Sequence, residues 1–437
     1  MYPVSNTYRE RVVDTSRVWD LRIKIVLASG EVLNLTKETL KLGTFSYKEG
    51  AVCADAIHTG ATFSNSVEFT ITNDDKKYSK YEFYGAKVYP RVGLAAAGSG
   101  AFEYVPLGEF NVIEPVKKLS TIPIMCFDNM VLLNKPFDFS SIVFPTTVKD
   151  VYSRALKQCG VAALPALTQE VEDLEYPVGS FLNNDSTCRD VLAGIGVMLL
   201  KNLRFNREGL LESYWYEDCN AYTDTDTRVG NSSFGDEAQI VTGVFVADAY
   251  GNTFSHGTSV YPVELPTSPL LQGADVVFGI LEKTLQKLQE RTYRPASITW
   301  IGDPAIQAGD VIEHRSSPVG DVNLLVMRVT YKFAGTSTIE SLGPDSSTLG
   351  QPTASDRKMR QAFEQTKQNY SELSTKINQT AESVELIASK TLNMQIGARN
   401  LIRNSTNLIF ENYYFHLGDP SAALGTGTLG SMILGQE

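Results

Sequence analysis

The chain has 437 residues, enough for roughly three or four domains that each bury a core of their own. It carries 39 Lys plus Arg against 50 Asp plus Glu, a net charge of −11, with no run of clustered basic residues. That balance argues against a protein that grips nucleic acid by neutralising phosphates, though it suits a wall that DNA slides past. No run of about 20 apolar residues occurs and the N-terminus is polar and charged, so the sequence predicts a soluble chain with no membrane-spanning segment and no conventional export.

Residues 19–27 alternate apolar and polar side chains in the manner of a half-buried strand, and Ala28-Ser29-Gly30-Glu31 supplies a hairpin turn before a second strand at 32–35. Further strands are predicted at 44–47, 66–72, 87–93, 102–109 and 110–115, the spacing of a small antiparallel barrel or sandwich. The texture changes near Leu119, with a strand at 122–128 and then an irregular stretch rich in Phe and Pro. Residues 147–160 carry helical periodicity with Thr147 as N-cap and Gly160 as stop, and the same grammar returns at 186–200. With strands at 202–206 and 210–216 these make an α+β domain. The stretch 217–235, dense in Asp, Asn, Thr, Ser and Gly, reads as a boundary loop. β character returns at 239–246, an amphipathic helix interrupts at 275–291, and strands resume at 296–301, 311–314, 323–333 and 337–342 as a second small barrel.

A Gly/Ser/Pro linker at 343–354 precedes a heptad ladder: Met359, Phe363, Thr366, Tyr370, Leu373, Ile377, Thr380, Val384, Ile387, Thr391 and Met394. No Gly or Pro interrupts it, and a sustained period of 3.5 is the seam of a coiled coil; a long amphipathic helix folded back on its own domain is the alternative. β-branched residues at both seam positions, from Ile377 to Thr391, favour three strands, while Thr and Tyr in the seam leave a dimer open. The predicted fold class is α+β, mostly β: two small β-barrels plus an α+β domain, followed by a C-terminal trimeric coiled coil. Its divisions fall at 1–118, 119–235, 236–345 with an inserted helix, 346–396 and 397–437.

Residues able to carry chemistry are scattered. Cys53, Cys126, Cys159, Cys188 and Cys219 form no CxxC pair and are odd in number, which reads as buried thiols in a reducing compartment. His58, His256, His314 and His416 have no ligand spacing, and no HExxH, GxSxG or P-loop occurs. Cys159 or Cys219 beside a histidine would be the nucleophile candidates. Glu170, Glu172, Asp173 and Glu175, and Glu212, Glu217 and Asp218 around Tyr214-Trp215-Tyr216, are the carboxylates that could serve glycoside cleavage; a solvated strand edge and loop is the plainer reading. Asp224 and Asp226 lack the Gly and distal Glu of a calcium loop. Asn412-Tyr413-Tyr414-Phe415-His416 either opens a receptor-facing module or caps the trimer. No catalytic, cofactor or metal residue is assigned, and the eleven seam residues are the oligomerisation site.

Four stretches in chain order resemble the tail hub, or tail-tip, proteins of bacteriophages and prophages, often described as tail endopeptidases or tail-associated lysins. They are Ser66–Ser79 with Phe83-Tyr84-Gly85-Ala86; Leu107–Val112 with Cys126–Met130 and Leu133–Pro136; Gly302–Ile312 with Met327–Phe333 and Ser337–Ser341; and Gly397-Ala398-Arg399-Asn400-Leu401-Ile402-Arg403-Asn404-Ser405. Each alone is ordinary turn chemistry. The resemblance implies two related β-barrels, an α/β domain and a homotrimer whose six barrels ring the distal end of the tail tube. It also implies a virion location at the tail tip, DNA transit without specific binding, and partners among tail tube, baseplate and tape-measure proteins and host-surface glycan. A tail-associated peptidoglycan hydrolase, and the hub of a tail-like bacteriocin or contractile injection particle, are the alternatives.

Overall fold

Alternation of apolar and polar residues drives most of this chain into strands, and a computed structural model shows how they join. It describes residues 1–342 apart from 15, 53–55, 96–99, 141, 180–185, 225–228, 248–252, 259–260, 316, 319 and 334. All described residues lie within one unit, Met1–Thr353. The heptad ladder, the 397–405 phrase, the 412–416 aromatics, Cys53, Asp226 and His416 lie outside the described residues.

A short helix α1 (Asn6–Val12), capped by Ser5 Oγ accepting from the Tyr8 N–H at 3.1 Å, precedes β1 (Trp19–Val26), β2 (Val32–Thr36), β3 (Ser46–Gly50) and β4 (Ser66–Thr72). Next come β5 (Lys87–Ala95), β6 (Phe102–Pro106), β7 (Phe110–Pro115) and β8 (Thr121–Asp128). Their inward positions, among them Leu21, Ile23, Ile25, Val67, Phe69, Ile71, Ile122 and Ile124, form one core. Each such side chain contributes about 1.5–3 kcal/mol on burial.

The middle of the chain holds β9 (Thr146–Thr147), α2 (Val148–Cys159), α3 (Pro165–Glu172), β10 (Pro177–Val178), α4 (Cys188–Met198), β11 (Asn202–Phe205) and β12 (Leu211–Tyr214). Thr147 caps α2 as the sequence predicts, Thr187 caps α4, and Gly160 ends α2 at φ +68°. The last part runs β13 (Glu217–Asp224), β14 (Val229–Phe234), β15 (Gly243–Ala247), β16 (Thr253–Gly257), β17 (Pro262–Glu264), α5 (Ala274–Gln289) and β18 (Ala296–Trp300). It closes with β19 (Asp310–Arg315), β20 (Val322–Leu325), β21 (Arg328–Lys332) and β22 (Ser337–Ser341).

The fold is mostly β with few helices. One twelve-stranded sheet runs β14-β18-β22-β21-β3-β4-β8-β7-β5-β1-β2, with β6 added on β5. The antiparallel pairing of β21 with β3, from Arg328 opposite Gly50 to Lys332 opposite Ser46, therefore joins strands about 280 residues apart in one ladder. Among the described residues this path stays open at β14 and β2, where the sequence predicts two separate closed barrels; an isolated bridge between Leu40 and Ile71 draws the β2 end towards β4 without completing a ladder.

Local expectations change in four places. Residues 217–224 and 229–234, inside the stretch read as loop, are strands: β13 pairs parallel with β19 and β14 antiparallel with β18, so their backbone groups find partners far along the chain. The stretch 323–333 is two strands in different sheets, because Val326 N–H donates to Asp310 and Met327 N–H to Glu340 as the chain crosses. Gly108, at φ +133°, ends the 102–109 strand early. Helices α1 and α3 have no counterpart in the sequence reading; α3 starts with Pro165 at its first turn, where proline's missing N–H costs nothing.

Candidate functional site at a buried charged junction

Strand β3 places Tyr47 and Glu49 on its inward face, where both are almost wholly buried. A buried carboxylate must find cations and donors. Tyr47 Oη donates to Glu49 Oε2 at 2.8 Å, and two arginines converge from β11 and the turn after it: Arg204 Nη1 lies 3.7 Å and Arg207 Nη2 4.0 Å from the carboxylate. Burial pushes the Glu49 carboxyl up, and Arg207, Arg204 and Tyr47 pull it back. Arg204 also donates to Glu212 Oε1 at 2.8 Å and to the Ala308 carbonyl at 2.6 Å, and sits over the Tyr214 ring. Burial opposes its charge, yet Glu49 and Glu212 hold it protonated. Arg207 donates to the carbonyls of Pro106 and Ile306 at 2.9 and 3.4 Å and stacks on Tyr2. One guanidinium thus ties the first sheet segment, the last segment and the N-terminus to the middle of the chain.

The Gly302–Ile312 motif forms the opposite wall. Asp303 Oδ1 accepts from Tyr8 Oη at 3.0 Å and from the Ala305 N–H at 2.8 Å; Asp310 accepts from the Gln307 N–H at 2.7 Å and pairs with the Met1 ammonium. Burial pushes the Asp303 carboxyl up, and burial together with the Asp303 charge pushes the Tyr8 phenol well up. Gly302 and Gly309 adopt φ of +79° and +97°, and a Cβ there would lie 2.4 Å from Ser337 Oγ and 2.8 Å from the Tyr214 ring. The second motif also ends in a buried acid: Asp128 accepts from Ser64 Oγ at 3.0 Å, from the Asn65 N–H at 3.1 Å and from the Met130 N–H at 3.1 Å. Burial raises its carboxyl to about 7.

Beside the junction, Met1, Arg9, Glu217, Asp218, Cys219 and Asp310 line a polar cleft of about 280 Å³. This brings together three of the residues nominated for chemistry, Glu217, Asp218 and Cys219. Cys219 donates its thiol to the Val311 carbonyl at 3.4 Å, and burial pushes that thiol up, the wrong direction for a nucleophile. No described histidine lines the cleft. His58 is buried, its Nδ1 3.0 Å from the Thr59 carbonyl and its pKa lowered by burial, and His314 is buried and stacked on Phe234.

Four of the nominated carboxylates, Glu170, Glu172, Glu212 and Asp218, are paired with cations. Glu170 and Glu172 lie on α3, not on a strand edge: Glu170 pairs with Lys201 at 2.9 Å and accepts from Ser213, and Glu172 pairs with Lys149 at 2.9 Å. Glu212 belongs to Arg204, and Asp218 to Arg291 at 3.3 Å. Cys126, Cys159 and Cys188 are buried and free, the last two in the core around α2 and α4. Among the described residues no group of three or more His, Cys, Asp or Glu side chains is placed to hold a metal ion. The junction residues Glu49, Arg204, Arg207 and Tyr8 were absent from the sequence reading. Glu49 had a detectable signal, since it shares the inward phase of β3 with Tyr47.

Over 75% of its length the chain is similar to 98% of the prophage MuSo2 43 kDa tail protein from Shewanella oneidensis, at 13% identity and a TM-score of 0.47. That neighbour is a tail protein. The chain is also similar to the PdpA-VgrG complex in two solved forms. One is the lidless form, at 9% identity and TM-score 0.43 over 78% of this chain and 67% of that one. The other is the half-lidded Francisella form, at 9% and 0.45 over 78% and 60%. No family model and no curated protein matches. All three TM-scores are below 0.5, so neither activity nor assembly follows from these likenesses.

Proposed function

We propose that this chain is a structural hub of a phage-type tail, a homotrimer that closes the distal end of the tail tube, organises the tip or baseplate and opens for DNA passage. The observation that carries the reading is the junction itself. Two of the motif segments that resemble tail hubs, Leu107–Val112 with Cys126–Met130 and Gly302–Ile312, supply buried and half-buried groups that hold segments of the chain together. Asp128 accepts three hydrogen bonds, Glu109 pairs with Lys87 at 2.6 Å, and Asp303 and Asp310 fasten the N-terminal segment. Such a use of charge supports a rigid scaffold. In the proposed assembly the β-rich parts 1–118 and 236–345 flank the α+β part 119–235 and contribute paired barrels to a ring, with the 346–396 coiled coil as a threefold stalk and 397–437 beginning the tip. The acidic balance of the chain suits a lumen that repels DNA phosphates.

A second reading, a tail-associated peptidoglycan hydrolase, is favoured by the cleft that gathers Glu217, Asp218 and Cys219. A cell-wall clearing assay with the purified chain separates the two. The scaffold reading predicts no clearing by wild type, whereas clearing that Glu217→Gln abolishes would replace it with the enzyme. A phage and a tail-like bacteriocin or injection particle would use the same scaffold, and capsid and packaging genes beside this one would distinguish them.

A further inference from the structure

Helix α2 ends on Cys159 and α4 begins on Cys188. Residues 135–138 hold both of these helix ends at once. Gln158, the chain neighbour of Cys159, donates through Nε2 to the Pro136 carbonyl at 2.6 Å and accepts from the Asp138 N–H at 3.1 Å. On the α4 side the Phe137 N–H donates to the Ser186 carbonyl at 2.8 Å, the Cys188 N–H donates to the Lys135 carbonyl at 2.9 Å, and Pro136 bridges Thr187. The two cysteine side chains therefore meet in the core around α2 and α4, where the Cys188 thiol hydrogen-bonds the Cys159 sulfur.

Adjacent thiols held by fixed backbone are the arrangement from which a disulfide forms. Cys126 lies in the separate core of the first strands, and Cys219 donates to the Val311 carbonyl. The two sulfurs of the pair are not equivalent. Cys188 is wholly buried, whereas Cys159 keeps 5% of its surface exposed. The hydrogen bond from Cys188, helped by the Lys135 charge, lowers the Cys159 pKa against the effect of burial. That same bond, and then burial, push the Cys188 thiol up.

We propose that Cys159 and Cys188 are a redox-sensitive pair that closes to a disulfide on exposure to a peroxide, with Cys159 as the attacking sulfur and Cys188 as the resolving one. The Cys159 thiolate attacks one peroxide oxygen and the O–O bond breaks. Cys159 becomes a sulfenic acid, and the departing hydroxide is protonated to water. The Cys188 sulfur then attacks the Cys159 sulfur: the S–S bond forms, the S–O bond breaks, and the departing hydroxide takes the Cys188 proton as a second water. The peroxide gains two electrons and the thiol pair loses two. The product staples the end of α2 to the start of α4, which restricts the unfolded chain more than the folded one. The inference goes beyond the scaffold reading and does not depend on it.

The test takes the full chain, reduced with dithiothreitol and then freed of it, and exposes it to hydrogen peroxide at neutral pH. The product is alkylated with iodoacetamide in denaturant and mapped without reduction. The expected result is one cross-linked peptide pair containing Cys159 and Cys188, an intact mass lower by two hydrogens, and full reversal by dithiothreitol. Cys159 should be consumed at least about tenfold faster than Cys126. The oxidised chain should melt at least about 2 °C above the reduced one. In Cys188→Ala, dimedone should trap a Cys159 sulfenic acid, whereas Cys159→Ala should leave Cys188 unlabelled, and both variants should lose the melting gain. Where a variant fails to fold, the wild-type peptide map decides alone. Cys159 and Cys188 recovered fully alkylated, or linked to Cys53, Cys126 or Cys219 in place of each other, would overturn the proposal.

Discussion

Arg207 is the residue on which the junction turns. Its guanidinium meets Pro106, Ile306, Tyr2 and Glu49, and removing it leaves the Glu49 carboxylate buried with one cation fewer. Arg207→Ala is therefore expected to cost about 3–5 kcal/mol of unfolding free energy, the range for breaking a buried ion pair from one side. Lys48→Ala, at an exposed pair with Glu68, should stay within about 0.5 kcal/mol. Chemical denaturation of the two variants checks the contrast, and equal effects would mean that the junction does not hold the segments together.

Asp128 gives this scale a pH signature. Its carboxyl is raised by burial to about 7, from an ordinary value of 3.8. Between those values the folded chain holds a proton that the unfolded chain has released, so this contribution is fully present below about pH 4 and is lost as pH rises through 7. Thermal midpoints of wild type should fall from pH 5 to pH 7.5 more steeply than those of Asp128→Asn, which has no carboxyl to ionise; parallel curves would contradict the assignment. The sequence pointed to Asp128 only as part of a motif. Its burial depends on Ser64 and Asn65, more than 60 residues away, which no local pattern reveals.

At the scale of elements, the seam between β3 and β21 joins the two ends of the described chain. Thr330 on β21 pairs with Lys48 on one side and Thr338 on the other. Proline there removes a ladder hydrogen bond within a central strand, so Thr330→Pro should cost about 3 kcal/mol or more, while Thr330→Val, which keeps the ladder, should change stability by less than about 0.5 kcal/mol. Calorimetry of both variants reads the difference, and a proline variant as stable as wild type would show that the seam carries little. Helices α2 and α4 and most strands of the first half were legible because caps and alternation are local signals. The seam was not, since pairing across about 280 residues leaves no periodic trace. Strands β13 and β14 were hidden for a related reason: their polar sequence reads as loop, and only pairing with β19 and β18 makes them strands.

For the whole molecule, the sequence supplied the β-rich halves, the α+β middle and a heptad ladder, and the fold added one sheet that runs through the first and last parts. The charged junction was the least legible feature, because its members come from positions near 1, 8, 49, 205, 305 and 310 that have no relation along the chain. The proposed hub requires threefold assembly. Sedimentation equilibrium of the full chain at micromolar concentration tests it most directly. Three copies of the 48.1 kDa chain predict a mass of about 144 kDa. A mass that stays at that of one chain across the micromolar range would contradict the hub.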